Sequence, residues 1–411
     1  MTVTVRTVAV DEPFGLVASL AGENGLVWMR AGEGIVGWGE AVRLGPGSGP
    51  RRFARAAQML EETFGSMEIH DDVSDFGTGP VAFGTFTFDP DSEGSCLIVP
   101  SVVLGRRGGT SWMTLVGPAE APALVRPRGD GSDEIDRIRY AGSTISEVEW
   151  LDAVAAAAQA VRSTELEKVV LARDLLVWSK SAFDGRRLAA RLAERFPECF
   201  TFSLDGMVGA TPDLLARVRG ELVESTALAG SAPRGSDDDE DERLGRELLS
   251  STKDRAEHLP AVASVRVVLE TLCSSLQVDP EPKLMRLANV QHLATELRGR
   301  LRSPVGALEV AARLHPTAAV CGAPTEKAQA LIRTLERMDR GRYGGPVGWV
   351  GANGDGEWGI SLRCGEFSGT RGRLFAGAGI VADSLPEAEL EETRLKLRAM
   401  QSALSPRPSG W

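Results

Sequence analysis

The sequence predicts one large α+β domain, and three observations predict it. The first 145 or so residues alternate short apolar runs with glycine-rich turns, the texture of strands and hairpins. From Ser146 onward apolar residues fall at helical spacing in several segments, and tight strands return between about 345 and 381. No repeat or low-complexity tract divides these regions. Residues 1–411 therefore read as a single domain, with a more variable part at 1–145 and a second part at 146–405.

In the first part, Gly25-Leu26-Val27-Trp28-Met29, Gly34-Ile35-Val36-Gly37-Trp38-Gly39 and Cys96-Leu97-Ile98-Val99-Pro100 read as strands. Residues 52–64 read as a helix. Residues 43–50 and 126–134, rich in Gly, Pro, Ser and Asp, read as loops. Ser146 is the expected N-cap of an alanine-rich helix reaching about Val161, with Glu149 completing a capping box. Strands follow at 168–178, 200–204 and 214–218. The acidic run 237–242 reads as a solvated loop leading into a helix, because adjacent carboxylates repel and stay in water. Residues 244–276 carry a helical pattern that Pro260 must bend or divide. Helices at 305–314 and 326–338 precede strands at 345–350, 357–364 and 373–381. A last helix starts near Pro386 and buries Leu390, Thr393, Leu397, Met400 and Leu404.

Composition narrows the function. With 43% hydrophobic and 25% charged residues the chain can build a large core. A formal net charge of −11 gives no bulk attraction for nucleic acid or an anionic membrane. An anionic substrate would need a local cationic pocket or a bound metal. The N-terminus lacks a signal peptide's basic start and apolar core, and no stretch is long enough to span a bilayer. Cys96, Cys199, Cys273, Cys321 and Cys364 form no CxxC pair and read as reduced thiols of a cytoplasmic protein.

Two carboxylate pairs share one spacing. Asp254 and Glu257 stand i, i+3, as do Glu389 and Glu392, so on a helix each pair shares a face. Brought together they would repel unless a cation lay between them, and hard oxygen donors in small number suit magnesium. Taken singly, each pair also fits a solvated helix face. The histidines show no zinc-type spacing.

An ordered set of motifs adds to this reading. Lys168-Val169-Val170-Leu171-Ala172-Arg173, Gly209-Ala210-Thr211-Pro212, Ala229-Gly230-Ser231-Ala232-Pro233-Arg234-Gly235 and the Lys253–His258 stretch come first. His292-Leu293-Ala294-Thr295, Leu314-His315-Pro316-Thr317, Gly344-Gly345-Pro346-Val347-Gly348-Trp349 and Ala376-Gly377-Ala378-Gly379-Ile380-Val381 follow. In this order they resemble the chorismate-binding enzymes, most of all the isochorismate synthases. The likeness is strong over about 150–400 and weaker before, where Gly34-Ile35-Val36-Gly37-Trp38-Gly39-Glu40 is its best element.

The resemblance implies two large antiparallel sheets packed together and wrapped by helices. It implies that Glu257 and Glu392 bind Mg2+, which grips the ring carboxylate of chorismate, while Asp254 and Glu389 hold metal-bound waters. It assigns Arg363 to the carboxylate of the pyruvyl side chain, a bidentate task suited to a guanidinium. Gly377 and Gly379 would let backbone amides approach that carboxylate. Gly230, Ser231 and His292 would line the ring pocket, Lys396 would add positive charge, and His315 would make a structural hydrogen bond.

Lys168 stands where the family's water-using members carry a lysine and its ammonia-using members do not. Water needs a base to attack C2 of the ring, and a lysine serves only where apolar surroundings or nearby cations favour its neutral form. A general acid must then protonate the departing C4 hydroxyl. The family places a glutamate after the Gly-Ala-Thr-Pro turn, and this chain has Asp213, one methylene shorter. Either the turn compensates, or turnover is slow, or the protein no longer turns over. Tyr343 and Leu362 resemble salicylate synthases and some menaquinone-type isochorismate synthases, whereas Ala319 stands where salicylate synthases carry threonine. The expected activity is conversion of chorismate to isochorismate, with onward loss of pyruvate to salicylate as the alternative and an ammonia-using synthase or a non-catalytic relative behind it. No amidotransferase subunit is expected, and the resemblance leans towards a monomer. Whether the product feeds menaquinone, a siderophore or another metabolite is open.

Overall fold

The computed structural model describes residues 2–11, 14–20, 25–118 and 138–405, so the loop expected at 126–134 lies outside it. Among the described residues the strands form two sheets, one of thirteen and one of ten. The larger runs from Arg139–Tyr140 through Lys168–Trp178, Arg371–Ile380, Cys364–Ser368, Met207–Thr211 and Phe200–Leu204 to Leu26–Arg30 and the remaining N-terminal strands. The smaller runs from Cys273–Val278 through Val290–Leu301, Leu222–Pro233, Leu214–Arg219, Gly356–Ile360 and Pro346–Gly351 to Val81–Thr85 and its neighbours. Pairing is antiparallel except between Val3–Ala9 and Met67–Asp71. The α+β architecture expected from the sequence is present.

The N-terminal strands are interleaved with later ones. Leu26–Arg30 pairs with Phe200–Leu204, and Val81–Thr85 pairs with Pro346–Gly351. Trp28, Ile35 and Phe202 from the larger sheet pack with Phe83, Val347 and Trp349 from the smaller in one buried cluster. Burial of this many large side chains, each contributing about 1.5–3 kcal/mol, holds the sheets face to face. The five cysteines are all free and buried. No helix among the described residues is long and apolar enough to cross a membrane.

Ser146 caps the helix Glu147–Ser163 in the expected capping box with Glu149. The helix Pro386–Leu404 buries Leu390, Thr393, Leu397, Met400 and Leu404 as its spacing requires. Three expectations need correction. The acidic run is not a loop: Asp237 caps the helix Asp238–Ser250 and its followers fill the first turn, where the helix dipole favours negative charge. The helical region after it divides at Ser251 and not at Pro260. Ser251 is extended (φ −65°, ψ 117°) and its hydroxyl accepts from Asp254 N, starting the helix Thr252–Leu272 with Pro260 inside it. The strand expected at 357–364 is two strands in different sheets, Gly356–Ile360 and Cys364–Ser368. Between them Ser361 leaves the ladder, donating its N–H to Gly345 O and accepting from Gly344 N.

Candidate functional site

A cavity opens between the two sheets, and six elements wall it. Val170 comes from Lys168–Trp178, and Gly377 and Gly379 from Arg371–Ile380 beside it. Gly230 and Ser231 come from Leu222–Pro233, and His292 from its partner Val290–Leu301. The helices Thr252–Leu272 and Pro386–Leu404 contribute Glu257 and Lys396.

Asp213 and Arg363 reach the cavity from two chain crossings between the sheets. Met207–Thr211 lies in the larger sheet and Leu214–Arg219 in the smaller; Gly356–Ile360 and Cys364–Ser368 make the same passage in reverse. The crossings lie side by side, with Ile360 N donating to Asp213 O at 3.3 Å and Ala210 N donating to Arg363 O at 3.2 Å. Arg363 has φ +49°, a conformation disfavoured for a side-chain-bearing residue, held here by the surrounding structure.

The guanidinium of Arg363 donates to His292 Nε2 at 2.9 Å. A guanidinium only donates, so Nε2 must accept and the imidazole proton sits on Nδ1. Nδ1 has Ser231 Oγ at 3.0 Å and Gly230 O at 3.2 Å as partners. Burial, reinforced by Arg363 and Lys396, pushes His292 well below the usual histidine range, so the ring is neutral. Gly230 sits at φ +79° in a bulge between Ala229 and Ser231, the conformation that turns its carbonyl and Ser231 to the histidine.

Asp213 is 5% exposed, and its Oδ1 is sealed with no hydrogen-bond partner. Burial pushes its carboxyl up to about 7, although Arg363, Lys396 and Lys168 each pull the other way. It can therefore hold a proton near neutrality.

At the floor, Lys168 is fully buried and does not itself line the cavity. Its Nζ lies 3.0 Å from Glu257 Oε1 and 3.3 Å from the Glu257 carbonyl, and Glu257 is the residue that faces the open space. Burial works to raise the Glu257 carboxyl, but Lys168, Lys396 and Lys253 outweigh it and hold it below the usual range. Gly379 belongs to this arrangement: a Cβ there would stand 2.2 Å from Glu257 Oε1 and 2.8 Å from Lys168 Cε. The sequence reading gave Gly379 a role in backbone approach to substrate; the structure shows a tighter need, room for the Lys168–Glu257 pair.

Tyr343 stacks on Phe375, with ring centroids 5.0 Å apart, and both line the cavity with Leu362 and Ala319. His315 lies apart, its Nε2 donating to Phe88 O at 3.1 Å, the structural bond expected of it.

The four carboxylates of the two pairs do not form a closed ligand set as they stand. Among the described residues no three His, Cys, Asp or Glu side chains are grouped to hold a metal. Each of three acids is met by a lysine: Lys168 on Glu257, Lys253 on Glu389 at 2.9 Å, and Lys396 on Glu392. Asp254 and Glu389 are nonetheless raised above the usual carboxylate range, by burial first and then by Glu257 and Glu392 around Asp254 and by Glu392 beside Glu389. Mutually repelling, half-buried oxygens on two converging helices are the donor chemistry that a hard divalent cation relieves, so these residues fit magnesium.

The structure thus gathers Asp213, Gly230, Ser231, Glu257, His292, Ala319, Tyr343, Arg363, Gly377, Gly379 and Lys396 on one cavity wall. Lys168, Asp254, Glu389 and Glu392 do not line it; Lys168 and Glu392 connect to it through Glu257 and Lys396. Sequence reasoning missed the buried pair Glu336–Arg340, of which Arg340 is a wall residue. Glu336 Oε1 accepts from Ala172 N at 2.7 Å, and Arg340 donates to Val170 O and Val320 O, each at 2.8 Å. The pair supplies hydrogen bonds that the strand bearing Lys168 lacks on its outer edge. Its signal was an acid and an arginine at i, i+4 after the helix Thr325–Leu335, easily taken for a surface pair.

A family model described as chorismate binding enzyme matches residues 7–405. Isochorismate synthase MenF of Bacillus subtilis is 33% identical over 353 residues, covering 79% of this chain and 75% of that protein. The salicylate biosynthesis isochorismate synthase of Pseudomonas aeruginosa is 35% identical over 421 residues, covering 92% of this chain and 84% of that one. The crystal structure of DhbC from Bacillus anthracis matches with a TM-score of 0.80 and 31% identity, over 95% of this chain and 98% of that one.

Proposed function

Because the chain belongs to the chorismate-binding enzyme family, we propose that it is a magnesium-dependent isochorismate synthase, an isomerase that moves the ring hydroxyl of chorismate from C4 to C2. One observation carries the reading: Asp213, a carboxyl at about 7, lines the same cavity as Glu257, which holds Lys168 directly behind the wall. Lys168 and Asp213 are the base and acid that addition of water and loss of hydroxide require.

Magnesium held by Glu257 and Glu392, with Asp254 and Glu389 behind them, supplies positive charge for the ring carboxylate when bound. Arg363 offers its remaining N–H groups to the carboxylate of the pyruvyl side chain, and Lys396 adds charge at the same end. Neutral His292, fixed by Arg363 and Ser231, orients the guanidinium and walls off water. Lys168 Nζ, once released as the free amine from its pair with Glu257, takes a proton from the water that attacks C2. The ring double bonds shift, the C4–O bond breaks, and Asp213 gives its proton to the departing oxygen. One water enters and one leaves, so the overall change is an isomerisation. With water as nucleophile, no ammonia-delivering subunit is needed.

A second reading, onward elimination of pyruvate to salicylate, is favoured by Tyr343 and Leu362 in the wall and opposed by Ala319. One assay separates them. The purified chain is incubated with chorismate and Mg2+ without ammonium, and the products are separated by chromatography. Isochorismate alone is expected; salicylate with pyruvate would establish the second reading; no conversion would overturn both.

A further inference from the structure

Asp213 stands in a wall between two spaces. On one side is the substrate cavity; on the other is a small cavity with room for about one water. Apolar groups from Leu215, Ala261, Val265 and Ile360 line most of this rear space. Two polar atoms stand out in it. Asp213 Oδ1 and Thr317 Oγ1 are both buried with no hydrogen-bond partner, on residues 5% and 4% exposed. Ser225 lines the same space, its hydroxyl engaged only by a long 3.4 Å contact to Leu214 O. Native proteins leave few buried polar atoms unsatisfied, because each costs about 1–3 kcal/mol.

Resting on the functional reading above, we propose that this rear cavity holds one water bonded to Asp213 Oδ1 and Thr317 Oγ1, and that Thr317 is a positioning residue for the catalytic acid. Three polar partners are the usual complement of a buried water, and Ser225 provides the third. Thr317 is suited to the task because its backbone is held elsewhere. Its carbonyl accepts from Val320 N and Cys321 N, and the next residue, Ala318, donates its N–H to Ser264 Oγ. The hydroxyl is left to the cavity. A donor fixed behind Oδ1 makes that oxygen the acceptor of the carboxyl group and leaves the proton to Oδ2. Asp213 needs such support more than a glutamate would, since its shorter side chain keeps the carboxyl close to the rear space.

The charged and titratable groups facing Asp213 are Arg363 from the neighbouring crossing, Lys396 and Lys168 from the helix and strand beyond the cavity, and Cys199. A test must therefore change the hydroxyl and leave these in place. Thr317→Val removes the hydroxyl at constant shape, and Thr317→Ser restores it. For Thr317→Val, kcat should fall about tenfold, as expected of a part of general-acid catalysis, while KM for chorismate stays within about twofold. A donor to Oδ1 favours the ionised carboxylate, so its loss should also move the basic limb of the kcat profile up by about one pH unit. Thr317→Ser should return both to wild type.

A readout independent of turnover is the NMR titration of the Asp213 carboxyl carbon in protein labelled with 13C-aspartate, assigned by its absence in Asp213→Asn. The Thr317→Val midpoint should rise by the same amount. An unchanged titration overturns the proposal, as does a Thr317→Ser variant as impaired as Thr317→Val. If wild type leaves chorismate unchanged the functional reading fails, and the carboxyl titration alone decides whether Thr317 supports Asp213. Should Thr317→Val not fold, Thr317→Ala against Thr317→Ser makes the same comparison.

Discussion

Lys168 Nζ lies 3.0 Å from Glu257 Oε1, and Gly379 passes so near that any Cβ there would stand 2.2 Å from that same oxygen. The lysine, the acid and the glycine therefore form one packed unit drawn from a strand, a helix and the neighbouring strand.

Gly379→Ala tests this unit. The added methyl must push Glu257 off Lys168, at an overpacking cost of about 1–3 kcal/mol. Chorismate conversion should be lost and the melting temperature lowered, measured by calorimetry on folded protein. Gly45→Ala, where an added Cβ meets nothing within 4 Å, controls for the loss of a glycine.

Lys168→Ala should lower kcat by at least about a hundredfold, the usual contribution of a positioned base. Chorismate binding, followed by fluorescence or calorimetry in the presence of Mg2+, should persist. Retained turnover would mean that another group deprotonates the water.

The pH profile follows from Asp213. The acid works when protonated and its carboxyl sits at about 7, so kcat should fall as pH rises through that value. Asp213→Asn should abolish turnover at every pH. An unaltered basic limb in a slow but active Asp213→Glu enzyme would assign that limb to a different group.

Removal of metal should stop the reaction. EDTA-treated enzyme is expected to be inactive and to recover with Mg2+ in excess. Glu392→Gln should weaken Mg2+ binding, read directly by calorimetry without substrate. If Glu392→Gln binds the ion as wild type does, Glu392 is no ligand.

Acid should destabilise the fold through histidine. Burial holds His315 down at about 3 and His292 well below 6.5. Between 6.5 and their folded values the unfolded chain binds protons that the native state refuses, so stability falls as pH falls through that window. Each histidine contributes up to about 1.4 kcal/mol per pH unit. Asp213, raised to about 7, works the other way over the same window, so the test is differential: urea midpoints should fall less between pH 7 and 5 in His315→Gln than in wild type.

Much of the site was legible because its chemistry follows short local patterns. The i, i+3 carboxylates do share helix faces, and the strand expected over 168–178 is present as Lys168–Trp178. Ser146 and Glu149 announce their helix, because a capping box is a local bond pair. What stayed hidden depends on partners distant in sequence. The apolar run over 357–364 has the same pattern whether it is one strand or two, and only Gly344 and Gly345 across from Ser361 divide it. Pro260 looked like the helix break, yet Ser251 offered a hydroxyl cap and the chain broke there. Placing Lys168 behind Glu257, off the cavity wall, needed the three-dimensional packing around Gly379.

The twin crossings that carry Asp213 and Arg363 have a mechanical consequence. Because each residue is hinged to both sheets and bonded to the other's strand, the acid and the guanidinium move as one jaw. The lysine and its glutamate also join the two layers, since the Lys168–Trp178 strand lies in the larger sheet and the helix Thr252–Leu272 packs on the smaller. A slide of one sheet over the other would strain both pairs at once, so the gap between proton donor and proton acceptor is held fixed. The bite of the site is thus set by sheet packing that runs from the wall residues Tyr343 and Phe375 to Trp28, Phe83 and Trp349.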